Sequence, residues 1–126
     1  MIDGKYPPAI DPKKVGTYSS KVFSGGGYFY DDVLEYRVWT KENSKTMLHS
    51  FSTYEEASNF SKSTSEDAEK PLVLVFQKEY VAEDDSGRLT HVKQGRITEW
   101  QVDWLTGNKG THEKIPSFIE KSKNRI

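Results

Sequence analysis

The run PLVLVFQ, Pro71 to Gln77, constrains this chain more than any other stretch. It is apolar at every position from Leu72 to Phe76 and has the length and composition of a strand. Side chains of a strand point alternately to opposite faces, so an unbroken apolar run needs cover on both. The segment therefore predicts a central strand buried on two sides. With 126 residues the chain has the length of one domain.

Other elements can be placed around that strand. In VLEYRVWT, Val33 to Thr40, the residues Leu34, Tyr36 and Val38 face one way and Glu35 and Arg37 the other, the period of a half-buried strand. Asn43-Ser44-Lys45 marks a turn, and Thr46 to Phe51 is its return strand. In FSTYEEASNFSKST, Thr53 is an N-cap with Glu56 three residues on to complete a capping box, and Tyr54, Ala57 and Phe60 recur at helical spacing. The stretch STSEDAEK reads as a surface loop, and Glu83 to Gly87 as a hairpin connection.

Leu89 to Leu105 reads as strand broken near Gln94-Gly95. Beyond the break Thr98, Trp100, Val102 and Trp104 alternate with Glu99, Gln101 and Asp103 as far as Leu105. Ile115 to Lys123 forms a short helix, with Pro116 tolerated in its first turn. Tyr18 to Phe23 reads as a short strand. Residues 1–17, with Pro7, Pro8 and Pro12, form an extended Pro-rich arm before a single domain over 18–126. The fold class is α+β: a mostly antiparallel sheet of about five to six strands, one main helix packed on one face and a short C-terminal helix.

Composition narrows the functional classes. Three Trp, seven Tyr and six Phe supply a large buried area, although only 34% of residues are hydrophobic. A net charge of −1 disfavours a dedicated nucleic-acid binder. The absence of Cys removes disulfides, thiolate zinc sites and cysteine nucleophiles. The start MIDGKYPPAIDPKK lacks a basic segment followed by an apolar run, and no window has the apolar length to span a bilayer. The expected location is the cytoplasm, with no membrane partner.

The densest collection of chemistry lies in KVFSGGGYFYDD and the strand after it. Gly25-Gly26-Gly27 is not a P-loop, which needs GxxxxGK[ST] running into a helix. Without a GxSxG elbow it does not read as the oxyanion loop of an esterase either. Two readings remain: a flexible turn, or a loop whose backbone approaches a ligand. Under the second, Gly25, Gly26, Gly27, Tyr28, Tyr30, Asp31, Asp32, Glu35 and Arg37 are the candidate ligand-binding residues, beside Trp39. Aromatic faces with carboxylates suit a cationic or hydrogen-bonding group, and one desolvated carboxyl would make a general base. Under the first, the tyrosines are core and the aspartates mark a turn.

His49, His91 and His112 share no ligand spacing, so no metal site is expected. His91 reads as a strand residue with a satisfied ring nitrogen. Glu83-Asp84-Asp85 lacks the spaced oxygens of a calcium loop and reads as a solvated hairpin tip.

The stretches TYSSKVFSGGGYFYDDVLEYRVW, FSTYEEASNF, KPLVLVFQKEY and RITEWQVDWL together resemble, over residues 6–105, a family of small bacterial proteins. Its members often carry the label of GNAT-type N-acetyltransferases. The resemblance implies acetyl-CoA as cofactor and acetyl transfer to an amine. The pyrophosphate loop of that superfamily, [QR]xxGx[GA] before a helix, is not written here. HSFSTYEE instead places two acids in the helix's first turn, where phosphate wants positive potential.

The leading expectation is a non-catalytic binding or accessory module that uses the region 24–39, with no cofactor and an unspecified small molecule or protein as partner. The alternatives are an acetyltransferase with a degenerate acetyl-CoA loop, and a self-associating module that pairs edge strands into a homodimer.

Overall fold

A computed structural model describes residues 6–19, 29–106 and 114–123. In chain order it contains a 3-10 turn at Pro12–Lys14, β1 (Asp32–Glu42), β2 (Lys45–Phe51), α1 (Tyr54–Ser63), β3 (Asp67–Ala68), β4 (Leu72–Gln77), β5 (Tyr80–Glu83), β6 (Leu89–Val92) and β7 (Arg96–Gln101). A 3-10 helix at Val102–Leu105 and α2 (Ile115–Lys123) complete it. The class is α+β, and every strand pairing is antiparallel. The main sheet runs β2-β1-β4-β7, with β3 also beside β1, while β5 and β6 form a separate two-stranded ribbon.

β4 occupies the interior position that its apolar run requires, and Val73, Leu74 and Val75 are fully buried. Its neighbour β1 turns back into β2 through Asn43 and Ser44, both at positive φ (53° and 69°). This is the mirror-image turn whose twist matches that of the strands it joins. Between Val33 and Glu35 the register of β1 against β4 shifts by a bulge. Val33, rather than the expected Leu34, thereby shares the main core with Tyr36 and Val38.

That core also takes Tyr6, Tyr30, Ala57, Val73, Val75 and Trp100. α1 covers it with Tyr54, Ala57 and Phe60, as their spacing predicts. The capping box is formed: the Glu56 amide donates to Thr53 Oγ1 at 3.2 Å, and the Thr53 amide donates to Glu56 Oε1 at 3.2 Å.

The strand expected to reach Leu105 stops at Gln101. Its neighbour β4 begins at Leu72, opposite Gln101, because Pro71 before it has no amide to donate. With no ladder partner left, the chain winds into the 3-10 helix. There Val102 and Leu105, three residues apart, both turn into the core, and Trp104 packs on Trp100 at 6.1 Å.

The N-terminal arm is extended at Ala9 and Ile10, whose amides donate to the carbonyls of Ser52 (2.9 Å) and Val33 (3.0 Å). It then makes the 3-10 turn capped by Asp11. Tyr18 and Ser19 carry no strand, and the rest of the segment expected to be strand to Phe23 lies outside the described residues. A second, smaller core joins Phe29, Val81 and Ile115 with Leu89, Phe118 and Ile119, packing α2 on the β5–β6 ribbon. No helix among the described residues is long and apolar enough to cross a membrane.

Candidate functional site

Glu35, Arg37 and Trp39 project from the face of β1 opposite α1. This is not the solvated face that a half-buried strand would present, because Glu35 is 0% exposed and Arg37 1%. A buried charge persists only if it is paired and its hydrogen-bonding capacity is filled. Here Arg37 Nε donates to Glu35 Oε2 at 2.7 Å, Nη1 to Glu99 Oε2 at 3.4 Å, and Nη2 to the Tyr18 carbonyl at 2.7 Å. Glu35 also accepts from Ser50 Oγ (2.9 Å) and from the Gly16 amide (2.8 Å). Glu99 accepts from Trp39 Nε1 at 3.1 Å. Two carboxylates thus flank one guanidinium, and three neutral donors stabilise the remaining negative charge. Gly16 sits at φ +95°, a conformation that glycine adopts without strain, and this turns its amide toward Glu35.

The other candidate residues disperse. Gly25, Gly26, Gly27 and Tyr28 lie outside the described residues. Tyr30 is a core residue set edge-on against Trp100 at 5.6 Å, and burial raises its pKa. Asp31 accepts from the Lys78 amide at 2.6 Å, tying the entry of β1 to the exit of β4. Asp32 is half-buried and faces Phe76 in the ladder. Glu35 and Arg37 meet each other, but not Tyr30, whose side chain lies in the core on the α1 side.

Among the histidines, His91 Nε2 pairs with Glu79 at 2.7 Å, a satisfied strand residue as expected. His49 Nε2 lies 2.9 Å from Glu42 and 3.1 Å from Thr40 Oγ1, with its ring on Phe60. Hydrogen bonds from Thr40 and then His49 lower the pKa of Glu42. At the β5–β6 turn Asp84 accepts from Ser86 and from the Arg88 amide, which holds its carboxyl below the ordinary range.

A groove of about 780 Å³ opens where β7 ends. Its floor is Tyr54, Pro71, Leu72 and Val102, all buried or half-buried. Its rim carries exposed Lys62 and Lys70 with exposed Glu69 and Asp103. Ser58 and Ser61 line the wall on α1. Across from them runs the chain from Glu69 to Leu72, and Ser61 Oγ donates to the Glu69 carbonyl at 2.8 Å. Nothing in the local sequence marks this groove. It follows from Pro71 ending one ladder, a relation between separate elements.

The N-terminal end of α1 is occupied by its own chain. Ser52 Oγ, Thr53 Oγ1 and the Thr53 amide all donate to Glu56 Oε1, and the Ser52 bond is the main cause of that carboxyl's lowered pKa. Glu55 adds a second acid to the same turn. This is a poor seat for a pyrophosphate, which needs free amides and positive potential. No family model, no curated protein and no solved structure matches the chain.

Proposed function

We propose that the protein is a non-catalytic binding module, and that the groove beside α1 receives an extended peptide segment of a partner protein. The observation that carries this reading is the step in the sheet at Gln101. There an apolar floor and the chain from Glu69 to Leu72 lie beside rim charges of both signs. Such a site suits an extended chain, with backbone groups along the sheet side and apolar side chains on the floor. Lys62 and Lys70 together with Glu69 and Asp103 favour a segment that itself carries both signs of charge. Recognition is put at the groove, and not at Glu35 and Arg37, because those side chains are already committed to each other.

Selection from a displayed library of eight-residue peptides, followed by amide chemical-shift mapping, tests the reading. Selected peptides should bind with micromolar affinity and shift the amides of residues 58–62 and 69–72. Ser61→Trp, which fills the groove, should weaken binding at least tenfold with Tm within a few degrees of the parent. Saturable micromolar binding of acetyl-CoA, seen as a raised melting point, would favour the acetyltransferase reading instead.

A further inference from the structure

We propose that the outer edge of β2 pairs with the same edge of a second copy of this chain, antiparallel and centred on Leu48. This surface is separate from the groove, and the proposal does not depend on the groove's ligand.

The hairpin geometry says which backbone groups are on offer. In a two-residue hairpin the residues flanking the turn, here Glu42 and Lys45, form a hydrogen-bonded pair. Bonded pairs alternate with non-bonded ones, so Met47, His49 and Phe51 bond back to β1. Thr46, Leu48 and Ser50 therefore direct their amides and carbonyls outward. Ser52 has the same parity, and its carbonyl indeed points out, accepting from the Ala9 amide of the N-terminal arm. The arm closes the edge at Ser52 and no described strand pairs with the rest. The open window is Thr46 to Ser50, and its midpoint is Leu48.

Side chains in that window fit themselves. Lys45 to Leu48 are all exposed, and Met47 (42%) and Leu48 (38%) are large exposed hydrophobics. About a two-fold axis through Leu48, each Leu48 faces its partner, each Met47 faces a His49, and each Thr46 faces a Ser50. Apolar groups oppose apolar or aromatic ones, hydroxyls oppose hydroxyls, and no like charges meet. A charged residue inside an edge commonly blocks such pairing, and none lies between Thr46 and Phe51 apart from His49. The result is an isologous dimer with one sheet continuous through both copies.

The test uses the full chain, which has no native cysteine. Sedimentation equilibrium should show a concentration-dependent dimer. Under mild oxidation Leu48→Cys should cross-link, since directly opposed Cα atoms lie about 5.5 Å apart in a bonded pair and a disulfide spans that distance. Lys45→Cys should not, because its two copies fall about 20 Å apart in this register. Leu48→Lys and Thr46→Lys should each weaken dimerisation at least tenfold while circular dichroism and Tm stay close to the parent. The proposal is overturned by a monomer at millimolar concentration, by a dimer indifferent to both lysine variants, or by equal cross-linking through Lys45→Cys.

Discussion

The two faces of β1 are buried to the same degree by opposite means. On one, Val33, Tyr36 and Val38 enter a core of aromatic and aliphatic groups beneath α1. On the other, Glu35 and Arg37 are equally hidden, yet held by ion pairs, hydroxyls and backbone groups. Apolar burial is additive and tolerant, since each lost methylene removes its own share of contact. The polar cluster is collective, because removing one member leaves the others buried without partners. The same strand thus has one face that degrades gradually and one that fails at once.

The largest expected effect separates these behaviours. Arg37→Met keeps most of the side-chain volume but strips both carboxylates of their counter-charge. It should cost about 3–5 kcal/mol in urea unfolding, the usual cost of breaking a buried ion pair from one side. The triple variant Glu35→Gln, Arg37→Met, Glu99→Gln should regain most of that loss. The amide oxygens at 35 and 99 still accept from Gly16 and Trp39, and the new Nε2 at 35 donates to the Ser50 hydroxyl, with no buried negative charge. A loss below about 1 kcal/mol for Arg37→Met would place the pair in the range of surface ion pairs and erase the contrast between the faces.

Legibility divides along the same line. The core face was readable because its signals are local: the interior strand from Leu72 to Phe76, the capping box at Thr53 and Glu56, and the stripe of Tyr54, Ala57 and Phe60. The polar face was not, since its cover comes from Gly16 and Tyr18 and its second carboxylate from Glu99, which is 62 residues away from Arg37. A period of two says that Glu35 and Arg37 share a face, not that another part of the chain will close over it. The bulge at Leu34 and the early end of β7 escaped for a related reason, as both depend on where a neighbouring strand begins. Of the candidate residues, Glu35 and Arg37 share a face as the period of two says, and Tyr30 takes the core position that the turn reading allowed it.

The apolar face has a polar weak point of intermediate size. Desolvation pushes the Tyr36 hydroxyl well above its ordinary range, with Tyr30, Glu55 and Tyr6 adding to the shift, and the hydroxyl donates to the Pro7 carbonyl. Tyr36→Phe should cost about 1–1.5 kcal/mol at neutral pH through the lost hydrogen bond. The sign at high pH follows from linkage. The folded pKa lies above the unfolded value of about 10, so this contribution is complete below pH 10 and falls as pH rises further. Wild type should therefore lose stability between pH 10 and 12 faster than Tyr36→Phe. Equal alkaline slopes would show that the Tyr36 hydroxyl is open to water.

The smallest effect concerns the cover over the apolar face and not the face itself. Thr53 holds the start of α1 by accepting from the Glu56 amide, and it donates to the Glu56 carboxylate in return. Thr53→Ala should cost about 1 kcal/mol, the ordinary value of such a cap. Bonds from Ser52 and Thr53 depress the folded pKa of Glu56, so its contribution is present above the unfolded value of about 4.3 and is lost as pH falls through the lower folded value. Wild type should then be more acid-sensitive than Thr53→Ala as pH falls below about 4.3, where the unfolded chain binds the extra proton. Thermal unfolding across that range measures the difference. Parallel curves for the two proteins would mean that the cap is held by Ser52 and the backbone alone. The polar face, with no part in this capping box, should leave the Arg37→Met penalty unchanged when the cap is removed, since distant sites with no shared partner add.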